Sequence, residues 1–363
     1  MLAPDSFVHT DTLIIGAGQA GLAAAYFLQQ AQVSSILLEQ APTIGAQWAS
    51  RYDSLRLFSP AWASGLPGLP WPGSQRRYPT KDEAAAYLRR YAAHFGFDVR
   101  LNEQVVRLRA AGPYAFEVTA ASGTRYAAQR VIVCTGGLAT PKIPAWASAL
   151  APDVLQLHSS AYQRPGQLPG TGPVAVVGSG NSAVQIAADV AATGRPVYIA
   201  YDERTKAMPN NTLMWVTLQS LGLLQASRHG LVGGFMHGQP EPVVADALRT
   251  LRRFTNAHFI GRATGVAGAS IEGQRRATPP LRAVVWATGF RPDYSWIELP
   301  IIQADGLPRH HRGLSEPAGL AFLGLPWLDS RGSALMGGVA HDARRVVKQL
   351  LRAESAVERK KGN

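Results

Sequence analysis

One piece of local grammar occurs twice in this chain and limits what it can become. The apolar run Thr12-Leu13-Ile14-Ile15 meets the turn Gly16-Ala17-Gly18-Gln19-Ala20-Gly21. An alanine-rich helical stretch to about Gln30 follows, then a second apolar run, Val33 to Leu38. The pattern returns 162 residues later: Val174–Val177, the turn Gly178-Ser179-Gly180-Asn181-Ser182-Ala183, an alanine-rich stretch to about Ala192, and the run Pro196 to Ala200. Strand, tight glycine turn, helix and strand within about 30 residues make a right-handed parallel βαβ crossover. The repeat therefore predicts an α/β fold with two Rossmann-like dinucleotide-binding domains.

Each glycine of the first turn has a separate task. Gly16 allows the tight turn, Gly18 lets backbone approach a pyrophosphate, and Gly21 lets helix pack on strand. Free N–H groups and the dipole at the helix N-terminus favour the phosphate charge, with Gln19 and Ala20 opening that helix. Glu39 stands 23 residues after Gly16, at the end of the second run, where a carboxylate accepts ribose hydroxyls. The second turn, with Gly178 and Gly180, is the GxGxxA variant. Asn181 and Ser182 open its helix, where they are placed to cap N–H groups, to touch phosphate, or both. Two such turns imply two dinucleotides. At the end of the second unit stands Asp202, which repels a 2′-phosphate and accepts a 2′-hydroxyl, favouring NADH over NADPH. Arg204 and Lys206 are near enough to reverse this, and a solvent-facing Asp202 is the alternative.

A length of 363 residues suits two domains. The net charge of +12 favours anionic partners, but no basic run interleaved with aromatics is present, which argues against nucleic acid. The basic cluster from Arg344 to Lys361 reads as a solvated helix face and tail. Cys134 is the single cysteine, so one chain holds no disulfide framework, thiolate zinc site or dithiol pair, and no metal is expected. Its position at a strand end reads as a small buried thiol. Absence of a secretory leader pattern and of an 18-residue apolar run predicts a cytoplasmic chain without membrane association.

Between the two units the sequence is uneven. Residues 40–79 are rich in Pro, Gly, Trp and Ser and read as a long loop over a ligand. Thr80 with Glu83 forms a capping box for a helix over 80–96. Short strands are expected over 98–134, a Pro- and Gly-rich crossing over 136–172, a strand over 283–287 and a last helix from about Ser333 to Ala353. Residues 201–280 resist assignment.

In sequence order, these features resemble the class B flavin-dependent monooxygenases, the small bacterial flavin-containing monooxygenases most of all. The resemblance rests on the first glycine turn and on the aromatic loop Tyr52-Asp53-Ser54-Leu55-Arg56-Leu57-Phe58-Ser59-Pro60 with Tyr78-Pro79. It rests also on Cys134-Thr135-Gly136-Gly137, on His158-Ser159-Ser160-Ala161-Tyr162, and on Trp286-Ala287-Thr288-Gly289-Phe290-Arg291-Pro292. His158 and Tyr162 match the second half of the fingerprint FxGxxxHxxx(F/Y), while Pro152 and Val154 replace its first half. Tyr162, where Baeyer–Villiger enzymes usually carry Trp, points to the flavin-containing branch. Phe58-Ser59 stands where many members place an Asn beside the flavin.

The resemblance implies a discontinuous FAD domain, residues 1–143 and 283–363, with an NAD(P)H domain, residues 144–282, inserted in it. It implies cofactor contacts from Gln40, Gln47, Trp48, Arg56, Leu57, Val105, Thr135, Gly136, Thr288, Gly289 and Leu335. Leu335 lies in a segment whose helix N-terminus would face the flavin pyrimidine edge. Phe58, Ser59 and Tyr162 are the candidate catalytic residues. Phe58, Trp48 and Trp62 read equally as a dry wall over the flavin or as core anchors. His158 and Tyr162 read as linker contacts or as chemical groups, and Arg51 and Arg56 as cofactor contacts or surface. NADH or NADPH would reduce FAD, and a flavin hydroperoxide would pass oxygen to a soft sulfur or nitrogen nucleophile. The partners are then a small-molecule substrate and dioxygen, with a homodimer open. A plain NAD(P)H:flavin or quinone reductase, or an NADH oxidase, is the rival reading. A redox-sensing flavin module is disfavoured by the second turn.

Overall fold

The computed structural model describes residues 7–112 and 116–361, with side chains described as far as 352. The first unit begins with β1 (Phe7–Ile15), α1 (Gln19–Gln30) and β2 (Ser35–Leu38). Two helices follow, α2 (Ala46–Ala49) and α3 (Lys81–Phe95), then β3 (Asp98–Arg100), β4 (Val105–Ala110), β5 (Phe116–Ala120) and β6 (Arg125–Val133). The chain leaves through β7 (Thr140–Pro141).

The second unit contains β8 (Leu155–His158), β9 (Val174–Val177), α4 (Asn181–Ala191) and β10 (Val197–Ala200). Then come β11 (Ala207–Met208), α5 (Thr212–Ser220), α6 (Leu231–His237), β12 (Val243–Val244), α7 (Ala245–Leu251) and β13 (Ala257–Phe259). A hairpin of β14 (Ala263–Ala267) and β15 (Ser270–Gly273) precedes β16 (Ala283–Trp286). The return runs through β17 (Phe290–Arg291), β18 (Leu320–Phe322) and α8 (Val339–Lys361).

The first sheet has the order β3-β2-β1-β6-β5-β4, and β18 pairs with the C-terminal part of β6. Parallel register sets Leu13 beside Ile36 and Val131. The strands β1, β2 and β6 are apolar over their last three residues because both faces of the sheet are buried there. Ala-rich α1 lies close to this sheet: Leu22, Ala23, Ala24, Ala25 and Leu28 have no exposed surface. The sequence-predicted helix over 80–96 is α3. Thr80 Oγ1 accepts from the Glu83 N–H and Glu83 Oε2 accepts from the Thr80 N–H, and left-handed Gly96 ends the helix.

The second sheet has the order β13-β10-β9-β16-β8, all parallel. This corrects the domain boundary at 283. The strand Ala283–Trp286, expected to open the returning FAD segment, lies between β9 and β8 in the second sheet. Its four residues are fully buried there, as a central parallel strand must be. The crossing back follows it, where Phe290–Arg291 pairs antiparallel with Thr140–Pro141. Both interdomain linkers thus meet in one two-stranded ribbon.

The last helix also starts later than expected. Arg331–Ala334 forms a 3-10 turn, and α8 begins at Val339. Gly337 and Gly338 intervene, each pressed so close to backbone that a Cβ would lie 2.1 Å from the Ala63 carbonyl and 2.4 Å from that of Gly332.

Candidate active site

The first glycine turn has the geometry its sequence demands. Gly16 has φ +102°, and a Cβ there would lie 2.8 Å from the Cys134 carbonyl. A Cβ on Gly21 would lie 1.9 Å from the Gly16 carbonyl, so only hydrogen fits between helix and turn. Gly18 differs: it is the N-cap of α1, no side chain caps the helix, and a Cβ there would meet nothing within 4 Å. The space in front of α1 is kept clear and faces uncapped N–H groups, which suits a pyrophosphate.

Glu39 closes one side of this turn. Its Oε2 accepts from the Ala17 N–H and its Oε1 from the Ala41 N–H, both at 3.0 Å. Those two bonds fix the carboxylate and leave lone pairs for a ribose. Val105 is half-buried at the start of β4, and the neighbouring Glu103 N–H donates to the Glu39 carbonyl. On the other side, Trp48 Nε1 donates to Gln19 Oε1 and Gln19 Nε2 to the Ala334 carbonyl, both at 3.4 Å. Gln19 therefore joins the first turn to the segment before α8. Thr135 and left-handed Gly136 leave the end of β6, and Tyr294 donates to the Gly136 carbonyl. Gln40 and Gln47 are exposed. Arg56 donates to the Tyr78 carbonyl, and Leu57 is buried with its N–H on the Pro79 carbonyl.

The second turn repeats the arrangement. Gly178 has φ +148° and a Cβ would lie 2.2 Å from the Ala287 carbonyl, whereas Gly180, the N-cap of α4, has open space before it. The expected capping by Asn181 and Ser182 does not occur, since no side chain caps α4. Asn181 Oδ1 instead accepts from the Val244 N–H at 2.8 Å, because β12 runs past this turn. Ser182 lies beside the Tyr52 hydroxyl and acts to lower its pKa, against the larger rise from burial. Asp202 is held by Arg204 through Nε at 3.0 Å and Nη2 at 2.7 Å, which depresses its carboxyl to about 2. Its N–H donates to the Ser179 hydroxyl at 2.7 Å. Thr288 and Gly289 sit at the ribbon: the Gly289 carbonyl accepts from the Lys142 N–H and from His158 Nε2, each at 2.9 Å.

A cavity of about 320 Å3 opens beside the second turn, between the aromatic loop and the segment before α8. Phe58 reaches it from the aromatic loop, Gly180 and Asn181 from the second turn, and Leu335 from the segment before α8. Trp215 of α5 stacks against Phe58 with ring centroids 6.3 Å apart. The lining includes two ionisable residues, Glu241 and Arg331, paired with each other at 3.4 Å. Glu241 also accepts from Trp327 Nε1 at 2.8 Å.

Two of the three candidate catalytic residues do not reach this space. Ser59 is buried, with its Oγ 2.8 Å from that of Ser64, so its hydroxyl staples the loop. Tyr162 has no exposed surface and donates to Asp189 at 2.9 Å inside the second core. Desolvation there drives its pKa up. Both occupy motif positions whose side chains turn inward, a direction that spacing does not encode. Trp48 and Trp62 do not line the cavity either, leaving Phe58 as the wall residue of that trio. Arg51 lies over the Phe290 ring, 4.8 Å from its centroid, rather than on a phosphate turn. Met214, Trp215, Leu218, Trp327, Glu241 and Arg331 were not foreseen. Their signal is thin, consisting of Trp and Met within segments that otherwise read as loop.

A protein-family model, the pyridine nucleotide-disulphide oxidoreductases, matches residues 13–231. The chain belongs to this family. It is accordingly a flavin-dependent oxidoreductase, in which both glycine turns lie inside the matched region. A CzcO-like oxidoreductase of Geobacillus kaustophilus is 39% identical, over 94% of this chain and 98% of that one. The flavin-containing monooxygenase of Stenotrophomonas maltophilia superimposes with a TM-score of 0.76 at 27% identity, covering 95% of this chain and 99% of its own. A probable indole-3-pyruvate monooxygenase of Arabidopsis thaliana, YUCCA1, is 32% identical over 55% of this chain and 49% of its own length. The α/β architecture of two Rossmann-like units is that of the flavin monooxygenases. The family's disulphide chemistry needs a dithiol, and Cys134 stands alone, buried, with its thiol pKa pushed up by desolvation.

Proposed function

We propose that this chain is an NAD(P)H-dependent FAD monooxygenase that oxygenates a sulfur or nitrogen nucleophile on an apolar small molecule. The observation that carries this reading is the cavity at the meeting point of Phe58, the Gly180-Asn181 turn and Leu335. The first turn would hold the FAD pyrophosphate and the second that of the nicotinamide dinucleotide, whose turn residues Gly180 and Asn181 line the cavity. When bound, FAD supplies hydride acceptance and oxygen activation.

The residues supply the rest. Gly18 and Gly180 leave room for the two pyrophosphates at uncapped helix ends. Glu39 orients the FAD ribose, and Asp202 the ribose of the second dinucleotide, which favours NADH. Phe58, Trp215, Trp327 and Leu335 exclude water. Paired Glu241 and Arg331 form the one ionic edge of the lining and orient a polar end of the substrate. Among the described residues no other acid or base lines the space, so proton-transfer catalysis by side chains has little to work with.

The test is to supply isotope-labelled dioxygen with NADH and a set of thioethers and secondary amines. Label in an S-oxide or N-oxide supports the reading. Turnover of NADH without labelled product across the whole set favours the reductase or oxidase reading.

A further inference from the structure

Among the described residues the five most exposed large apolar side chains are Leu231, Leu213, Phe235, Leu221 and Val232, at 96, 74, 71, 67 and 53%. All five belong to one segment, α5, α6 and the turn between them. Single exposed apolar residues are ordinary on any surface, but the extremes gathered in one segment are not.

The segment is a fixed platform. The Arg228 N–H donates to the Asp329 carbonyl at 2.6 Å, Ser227 Oγ to Asp329 Oδ1 at 2.7 Å, and the Gly332 N–H to the Leu224 carbonyl at 2.8 Å. On α6, Gly233 is buried so tightly that a Cβ would lie 2.1 Å from the Ser227 carbonyl. The helix thus turns its small residue inward and presents Leu231, Val232 and Phe235 outward. Helix α5 is apolar on two sides. Met214, Trp215 and Leu218 line the cavity while Leu213 and Val216 face solvent.

Charge identifies the occupant. From Thr205 to Pro240 the sequence has no Asp or Glu, but holds Lys206 and Arg228 with His229 and His237, while Arg204 just before it is paired with Asp202. The whole chain carries +12. A second copy docking face to face would bring the same cations against these. An anionic lipid surface satisfies both the apolar side chains and the charge. We propose that the α5–α6 segment seats this protein peripherally on an anionic lipid surface, with Leu213, Leu221, Leu231, Val232 and Phe235 entering the headgroup boundary. Helix α5 is then the shared wall between lipid and cavity. No helix among the described residues is long and apolar enough to cross a membrane, so the attachment is on the surface. The proposal departs from the expectation of no membrane association, which rested on the missing leader pattern and apolar run.

The test uses the full-length, FAD-loaded protein and flotation with phosphatidylcholine vesicles, with and without phosphatidylglycerol. The expected result is flotation with the anionic vesicles, loss of that binding in high salt, and binding roughly tenfold weaker in Leu231→Ser/Phe235→Ser. Retained flavin and an unchanged melting temperature show that the variant is folded. Absence of flotation overturns the proposal, as does equal flotation of the variant. A dimer in sedimentation that the double variant dissociates overturns it in favour of self-association. The vesicle result does not depend on the oxygenation reading, since no turnover enters it.

Discussion

The hydroxyl of Tyr52, on the aromatic loop of the first unit, donates to Gln185 Oε1 on α4 of the second at 2.9 Å. Tyr52 is 3% exposed, and burial raises its pKa to about 12, so it stays a neutral donor. The aromatic loop and the helix that follows the second glycine turn are thus tied directly. Tyr52→Phe removes the tie and leaves a half-buried acceptor short of a partner. Denaturant titration should show a loss of about 1 kcal/mol. Flavin content should be unchanged.

The glycines separate binding from folding. Gly21→Ala drives a Cβ into the Gly16 carbonyl, so the variant should be unstable as well as flavin-free. Gly18→Ala adds its methyl to open space, so the protein should fold and melt normally without cofactor. Its FAD affinity should fall roughly tenfold or more, because the methyl stands where phosphate approaches. Gly180→Ala should keep its flavin and raise the nicotinamide KM. Flavin titration and steady-state kinetics on the three variants check this set.

Asp202 and Arg204 bear on cofactor choice together. Hydrogen bonding from Arg204 keeps Asp202 ionised down to about pH 2, so its charge is constant over the working range. Asp202→Ala should remove the repulsion of a 2′-phosphate and free the guanidinium to bind it. The ratio of kcat/KM for NADPH over NADH should rise roughly tenfold. An unchanged ratio means that Asp202 does not face the ribose.

Two histidines make stability fall on the acid side. His158 Nε2 donates to the Gly289 carbonyl and its Nδ1 accepts from the Ser160 N–H at 3.2 Å, which is a neutral imidazole. Desolvation lowers its pKa, and desolvation with neighbouring cations lowers that of His310 to about 4. In the unfolded chain both take up protons near pH 6.5, so below that pH the unfolded state binds more protons than the folded one. Stability present above pH 6.5 is therefore lost as pH falls toward 4, by about 2 kcal/mol. Denaturation at a series of pH values checks this, and His310→Gln should flatten the curve.

Local chemistry was legible in the sequence, and long-range placement was not. The span Gln19–Gln30 and the Thr80–Glu83 capping box are set by residues within a few positions of each other. The strand Ala283–Trp286 is equally visible as a strand. Its sheet is decided by pairing with Leu155–His158 and Val174–Val177, more than a hundred residues away. Helix α5 escaped because its apolar residues face both cavity and solvent, leaving no single stripe to read. Ser59 and Tyr162 occupy motif positions, but a motif does not state which way a side chain turns. Phe58 does reach the cavity, and the turns built on Gly16 and Gly178 have the close approaches their glycines imply.

Oxygen transfer in the cavity walled by Phe58 and Trp215 can be measured directly. The measurement is the ratio of hydrogen peroxide released to NAD(P)H consumed, with and without a thioether or amine substrate. The account predicts that substrate lowers the ratio well below one as oxygenated product accumulates, and that Phe58→Ala returns it toward one by admitting water. A ratio of one across every substrate tested, with no oxygenated product, would contradict the account and leave a plain flavin reductase or oxidase.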